Sequence, residues 1–170
     1  MNELPVVIAS DAIPALLDYI RSHRIARINL VADANTWRVL GQRTAQALAA
    51  AGIDAKPILL SGEEVAPDEQ AIVELLAAVG REQRPYLAVG SGTITDLARF
   101  ASYCTGNDFI SLPTAPSVDA YTSTSSSLIL RRLKQSVYSQ APVAVFADLD
   151  TLCAAPRPMI AAGFGDVVAK

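Results

Sequence analysis

Short apolar runs alternate along this chain with segments in which apolar residues recur every three to four positions. Residues 4–10, 26–31, 57–60, 85–89, 109–113 and 143–149 are runs of the first kind and read as strands. Between them, Ile13, Leu16, Leu17 and Ile20 mark one face of a first helix. Trp37, Leu40, Gly41, Thr44 and Leu48 mark a second, Ile72, Leu75, Leu76 and Val79 a third, and Ile94, Leu97, Ala98 and Ala101 a fourth. Strand and helix in strict alternation, with short connections, fold into an α/β parallel sheet with helices on both faces. The punctuation agrees. Asp11 and Asp68 stand where helix caps are expected, Gly52 closes the second helix, and Gly80 and Pro85 end the third.

After Pro113 the rhythm changes. Residues 123–127 are small and polar. Residues 128–138 carry a polar centre, 131–135, between two apolar arms, which predicts a β-hairpin. Pro156-Arg157-Pro158 opens a last helix over residues 159–170, since proline is tolerated in a first turn. That helix is nearly all apolar, with Met159, Ile160, Ala161, Ala162, Phe164, Val167 and Val168. Such a helix is expected to be buried on several sides. A chain that stops there reads as the front part of a longer protein, and an exposed apolar end helix would favour a homo-oligomer.

Composition narrows the function classes. The chain has 170 residues, the size of one ordinary domain, and 51% are hydrophobic, enough for a sizeable core. Mean hydropathy is +0.30, yet no apolar run reaches the roughly 18 residues of a membrane span. The run at 4–10 is too short for a signal peptide core with basic flanks. Net charge is −3, and Arg131, Arg132 and Lys134 are the one basic cluster, so nucleic acid is not an expected partner. Cys104 and Cys153 stand singly in apolar contexts and read as buried small hydrophobes, in keeping with a reducing cytoplasm. His23 is the single histidine and reads as a surface residue. With one histidine no Ser-His-Asp or Cys-His arrangement can be built.

Ligands of parallel sheets collect at the carboxyl ends of the strands, so residues just past each strand are the candidates. The heptad Gly90-Ser91-Gly92-Thr93-Ile94-Thr95-Asp96 joins a strand to a helix. Glycine there frees the backbone and admits a close ligand, and the helix N-terminus favours an anion. A phosphate is one guest; an ordinary strand–helix turn is the other reading. The Gly-Lys-Ser/Thr of a nucleotide triphosphatase loop is missing. Asp33, Asn35 and Thr36 follow the second strand, either as helix caps or as contacts to a ribose or adenine edge. Thr114, Ser117, Asp119 and Ser123 lie in a loop stiffened by Pro113 and Pro116. They either satisfy their own turn or bind phosphate, ribose and substrate. Asp148 and Asp150 form a pair at a strand end, where a cap before the last helix is the simpler reading. Asp166 sits within the apolar helix, where a carboxylate needs a salt-bridge partner or a cation.

Taken in order, Asp33-Ala34-Asn35-Thr36, Gly90 to Asp96, Pro113-Thr114-Ala115-Pro116-Ser117-Val118-Asp119, Ala147-Asp148-Leu149-Asp150 and Ala162-Gly163-Phe164-Gly165-Asp166 resemble the N-terminal part of the glycerol-1-phosphate dehydrogenase family. That family belongs with the iron-containing alcohol dehydrogenases, glycerol dehydrogenases and 3-dehydroquinate synthases. Ser91 replaces the middle glycine of the commoner Gly-Gly-Gly form. The resemblance implies a Rossmann-like domain over residues 1–154, and 155–170 as the first helix of an all-helical domain that this chain lacks. It implies NAD or NADP bound by Asp33, Asn35, Thr36, the turn Gly90, Ser91, Gly92, Thr93, Ile94 and Asp96, and then Thr114, Ser117 and Ser123. Asp119 would touch the substrate, dihydroxyacetone phosphate or glycerol 1-phosphate. Asp166 would be the first ligand of a divalent metal, zinc in many members, completed by two histidines of the helical domain. On this reading the chain alone is inactive. A dehydroquinate synthase-like or glycerol dehydrogenase-like fragment, or a non-catalytic nucleotide-binding module, are the alternatives.

Overall fold

The six apolar runs become the six strands of one sheet, whose inner strands β4 and β5 are buried on both faces. The computed structural model describes residues 3–62 and 64–169. In chain order the strands are β1 Val6–Ala9, β2 Arg27–Asp33, β3 Asp54–Leu60, β4 Tyr86–Val89, β5 Phe109–Leu112, β6 Ser125–Leu130, β7 Leu133–Tyr138 and β8 Ala144–Asp148. The helices are α1 Ile13–Ser22, α2 Ala34–Thr36, α3 Gln42–Ala50, α4 Glu69–Val79, α5 Gly92–Thr105, α6 Leu149–Cys153 and α7 Arg157–Val168. The sheet runs β3-β2-β4-β5-β8-β1, every neighbouring pair parallel, and β6 and β7 form a separate antiparallel hairpin. Among the described residues no helix is long and apolar enough to cross a membrane.

Alternation along the strands sorts the core. Ile28, Leu30, Leu87, Val89, Ile110, Leu112 and Phe146 face one way, under Leu16 and Ile20 of α1 and Leu48 of α3. Val31, Ile58, Leu60, Tyr86, Ala88 and Phe109 face the other, under α4, α5 and Leu128 of the hairpin. From β2 the chain goes outward to β3, then returns past β2 to β4. The strand order therefore reverses between β2 and β4, and their carboxyl ends, at Asp33 and Gly90, flank the crevice where such sheets bind ligands.

Several local expectations need correction. Residues 57–60 belong to a seven-residue edge strand, β3, of which only Ile58 and Leu60 are buried. Asp11 does not cap α1 at the N-cap position, which Ala12 holds; its carboxylate accepts from the Ile13 amide one residue later. The hairpin turns on Arg131 and Arg132 alone, both left-handed (φ 53 and 64), the twist a two-residue hairpin turn requires. Both cysteines are exposed, because each lies in the last turn of its helix, beyond the stripe that meets the sheet. The last helix is the reverse of the expectation: Gly163 is its one buried residue, while Phe164, Val167 and Val168 are open to solvent. Lys170, the end of the expected span, lies outside the described residues.

The second helix holds a feature that periodicity did not announce. Between α2 and α3, Trp37–Gly41 is a π-helical turn. A Cβ on Gly41 would stand 2.8 Å from Cε3 of Trp37, so the glycine leaves room for the indole within the widened turn.

Asp148 ends β8 and is fully buried. It caps the unexpected short helix α6, not the last helix: its Oδ1 accepts from Thr151 N at 2.9 Å. Its Oδ2 accepts from Ala12 N at 3.1 Å and from Arg43 Nη2 at 2.8 Å, tying β8, α1 and α3 together. Burial alone would raise this carboxyl, but the bonds from Thr151 and Ala12 and the charge of Arg43 outweigh it and hold it below its ordinary value. A depressed carboxyl stabilises the fold above its unfolded value, 3.8, and that stability is lost as pH falls through the lower folded value. Asp148→Asn should therefore cost about 1–3 kcal/mol at neutral pH. Denaturant unfolding measured against pH should show the variant and the parent converging as the solution is acidified below about pH 4. Parallel curves would show that the carboxylate charge has no role.

Candidate functional site

Two cavities of about 610 Å³ each lie over the carboxyl ends of the strands and share Ser91 and Met159 as walls. The first runs from the end of β2 to the start of α7 and is lined by Asp33, Asn35, Thr36, Thr114 and Thr151 among others. The second lies between α5, the loop after β5 and the hairpin, and is lined by Gly92, Thr93, Asp96, Ser117, Asp119, Lys134 and Asp166 among others. The first helical turn of α5 stands where they meet. Its cap residue, Ser91, makes no side-chain cap bond, so the first amides of a fourteen-residue helix are not closed off by it.

Most of the anticipated residues are thus brought to one edge of the sheet, and several also have internal duties. Asp33 Oδ1 accepts from Asn35 N at 2.8 Å and Thr36 N at 2.7 Å, while Thr36 Oγ1 accepts from Asp33 N at 3.0 Å. This reciprocal cap is the structural reading of both residues, and it points Asp33 along the cavity wall. Asn35 Oδ1 accepts from Arg38 Nη2 at 2.5 Å. Ser123 lines neither cavity; its hydroxyl accepts from Ser125 N at 2.9 Å and closes a local turn. Ile94 is 1% exposed and belongs to the core, so its side chain offers a ligand nothing.

The glycines of the turn work differently from the sequence argument. Neither Gly90 nor Gly92 has a positive φ. A Cβ on Gly90 would overlap the Cβ of Ile94, and one on Gly92 would stand 3.2 Å from Cγ1 of Val118. The space freed by the missing side chains is filled by the protein's own residues on those sides. What faces the cavities is Ser91 and the backbone.

The loop after β5 is stiff. Tyr121 donates its hydroxyl hydrogen to the Ala115 carbonyl, and burial pushes the Tyr121 phenol up. At the far end of the loop Asp119 N donates to Asp166 Oδ2 at 2.9 Å. Asp166 is half-buried, and this amide, not an arginine, is its bonded partner. Among the described residues no group of three or more His, Cys, Asp or Glu could hold a metal ion. His23 is exposed just past α1 as its C-cap, its ring stacked on Tyr19 at 4.0 Å. Asp166 is thus a single carboxylate, and the described residues alone do not form a metal site.

Residues that the sequence did not single out also line the site. Met159 walls both cavities, and Lys134 is the cation of the second. A signal for Lys134 was available. With Leu128 turned to the core, its neighbours Ser127 and Ile129 face the cavity, and Lys134 pairs with Ile129 across the hairpin. Asp96, in turn, is half-buried beside Arg99, and burial pushes its carboxyl up against the pull of that arginine.

The sequence profile of the family described as iron-containing alcohol dehydrogenase matches residues 7–156. The chain belongs to that family. It is 43% identical over 173 residues to a glycerol-1-phosphate dehydrogenase (NAD(P)+) of Halalkalibacterium halodurans, covering 100% of this chain and 43% of the relative. It is 41% identical over 168 residues to the protein of the same name from Bacillus subtilis, covering 97% of the chain and 43% of that relative. This member of the family thus spans less than half the length of those relatives. The fold is shared with glycerol dehydrogenase of Schizosaccharomyces pombe, at a TM-score of 0.85 and 22% identity, covering 98% of this chain and 42% of that one. A butanol dehydrogenase of Thermotoga maritima superposes with a TM-score of 0.86 at 15% identity, covering 99% of this chain and 48% of that one. The shared part is the parallel sheet with its flanking helices and hairpin.

Proposed function

We propose that this chain is the nucleotide-binding part of an NAD(P)-dependent, metal-dependent dehydrogenase that interconverts dihydroxyacetone phosphate and sn-glycerol 1-phosphate. The observation that carries the reading is the meeting of two cavities at the first turn of α5, at the point where the strand order reverses. The identity to dehydrogenases of that name supports it. In this reading residues 1–154 are the nucleotide domain, and 155–170 begin a helical one that would cover the exposed apolar side of α7.

The division of labour follows from the lining. The adenosine end lies in the first cavity beside Asp33, Asn35 and Thr36, with Thr114 along its path. The diphosphate rests on the amides after Ser91, which a helix N-terminus favours. A carboxylate at Asp33 disfavours a 2′-phosphate, so NAD is expected to bind more tightly than NADP. The second cavity takes the substrate, with Asp119 accepting a hydrogen bond from its hydroxyl. When bound, the nicotinamide supplies or takes the hydride. Asp166 contributes one carboxylate toward a divalent cation, zinc being the ion we favour. Three carboxylates line this cavity, and a phosphorylated substrate needs a positive charge there; Lys134 provides it.

Titrating NADH and NADPH into this chain and following nicotinamide fluorescence tests the cofactor assignment. Saturable binding with NADH the tighter is the expected result; no binding of either up to millimolar levels would remove the claim. For the substrate half, Lys134→Gln should weaken sn-glycerol 1-phosphate about tenfold in a phosphorus NMR titration with NADH present, roughly 1.4 kcal/mol. NADH affinity should be unchanged. Equal affinity of variant and parent for the phosphate ester would mean that Lys134 does not meet it.

A further inference from the structure

We infer that Arg99 is a positioning residue: its buried guanidinium fixes the loop that carries Asp119, and through the Asp119 amide it sets where that loop meets Asp166. Arg99 is 0% exposed, in the middle of α5. Nη1 donates to Asp96 Oδ1 at 2.6 Å and to Ser125 O at 2.8 Å. Nη2 donates to Ala120 O at 2.7 Å and to Tyr121 O at 3.3 Å. The planar fork thus holds carbonyls on both sides of Ser123, and Cζ stands 5.6 Å from the centre of the Phe109 ring.

The placement is expensive, and its cost says what it is for. Burying a guanidinium is unfavourable unless its charge is paired and its donors are met. Here one carboxylate pairs the charge, yet Nε has no partner. An apolar residue at this helix position would stabilise the packing as well without that penalty. What an apolar residue cannot do is grip the 3₁₀ turn and the start of β6 at once. Residues 117–124 have the 3₁₀ turn Ala120–Thr122 as their one regular element and lie outside both sheets, and Ser125 opens β6. The carbonyls of Ala120 and Tyr121 adjoin Asp119, whose amide donates to Asp166 Oδ2. Ser126 Oγ adds a bond of 3.0 Å to Asp96 O, so helix and strap meet along a polar seam. Thr95 and Ser102 are also buried on α5 at helical spacing from Arg99.

The inference concerns the loop and stands apart from the proposed activity, so it is tested without catalysis. Amide hydrogen exchange is measured by NMR on this 170-residue chain and on Arg99→Lys and Arg99→Ala. Lysine keeps a charge for Asp96 but lacks the fork. The expected result in Arg99→Lys is exchange at Asp119 at least about tenfold faster, while Leu87 and Ile110 in the central strands change far less. In Arg99→Ala, added ethylguanidinium, which restores the missing fork by mass action, should slow Asp119 again. Should the alanine variant not fold, the lysine variant decides alone. Unchanged protection at Asp119, or a loss no larger than that of the central strands, would overturn the proposal and leave Arg99 an ordinary buried ion pair.

Discussion

Replacing Gly90 with alanine is expected to destabilise the protein by about 3 kcal/mol or more, one of the largest losses a single methyl can cause here. The reason is position. Gly90 N donates to Leu112 O at 3.2 Å, and Gly90 O accepts from Thr114 N at 3.3 Å, so the backbone at 90 is fixed against the end of β5. A Cβ there would fall 2.4 Å from Cβ, 2.6 Å from Cγ1 and 2.9 Å from Cγ2 of Ile94. Ile94 is 1% exposed and packed among Leu97, Ala88 and Val31, so it has nowhere to turn. Either the strand end or the first turn of α5 must move. For a chain of this length such a loss lowers the melting temperature by roughly 6–12 °C. Ile94→Ala alone leaves a cavity and costs about 2–5 kcal/mol. Combined with Gly90→Ala it should cost clearly less than the sum, because the smaller side chain makes room for the new methyl. Strict additivity in thermal unfolding of the four proteins would show that the two residues do not compete for one space.

Gly163→Ala is expected to free α7 without unfolding the sheet. A Cβ at 163 would stand 1.7 Å from the Pro116 carbonyl oxygen, and a proline-stiffened backbone cannot yield as a flexible side chain would. The helix must retreat by well over an ångström. Little else holds it, since Gly163 is its one buried residue and most of its apolar side chains face solvent. The variant should therefore keep its melting temperature within about 1–2 °C while the amide of Asp119 loses its acceptor, Asp166 Oδ2. Both cavities lose the Met159 wall, so NADH affinity should drop at least about tenfold. Gly165→Ala is the matched control. A Cβ there meets nothing within 4 Å, and alanine is the better helix former by about 1 kcal/mol. If the two alanines behave alike in exchange and in NADH binding, the contact with Pro116 is not what seats the helix.

These two glycines mark the boundary between what was legible in the sequence and what was not. Gly90 was read as freeing the turn at 90–92 for a ligand, and Gly163 stood only as part of the motif around Asp166. In the fold each is a point of contact between elements: strand end on helix at Gly90, helix on loop at Gly163. Gly92 is the same case, pressed by Val118. A sequence shows that a side chain is missing; it does not show which neighbour uses the space. Lys134 was visible only as part of a basic cluster, and Arg99 was passed over within an apolar helix.

The alternation of strands with the longer helices, the parallel sheet and the placement of Asp33, Gly90 and Thr114 at strand ends followed from the residues alone. Hydrophobic periodicity and turn chemistry are local, and each needs only a few neighbours to be read. The meeting of Asp119 with Asp166, 47 residues apart, was decided by tertiary structure, as was the grip of Arg99 on carbonyls more than 20 residues away. So were the exposure of the two cysteines and the open face of α7. Those depend on which surfaces the sheet and its crossovers bring within a few ångströms, and distance along the chain carries no trace of that.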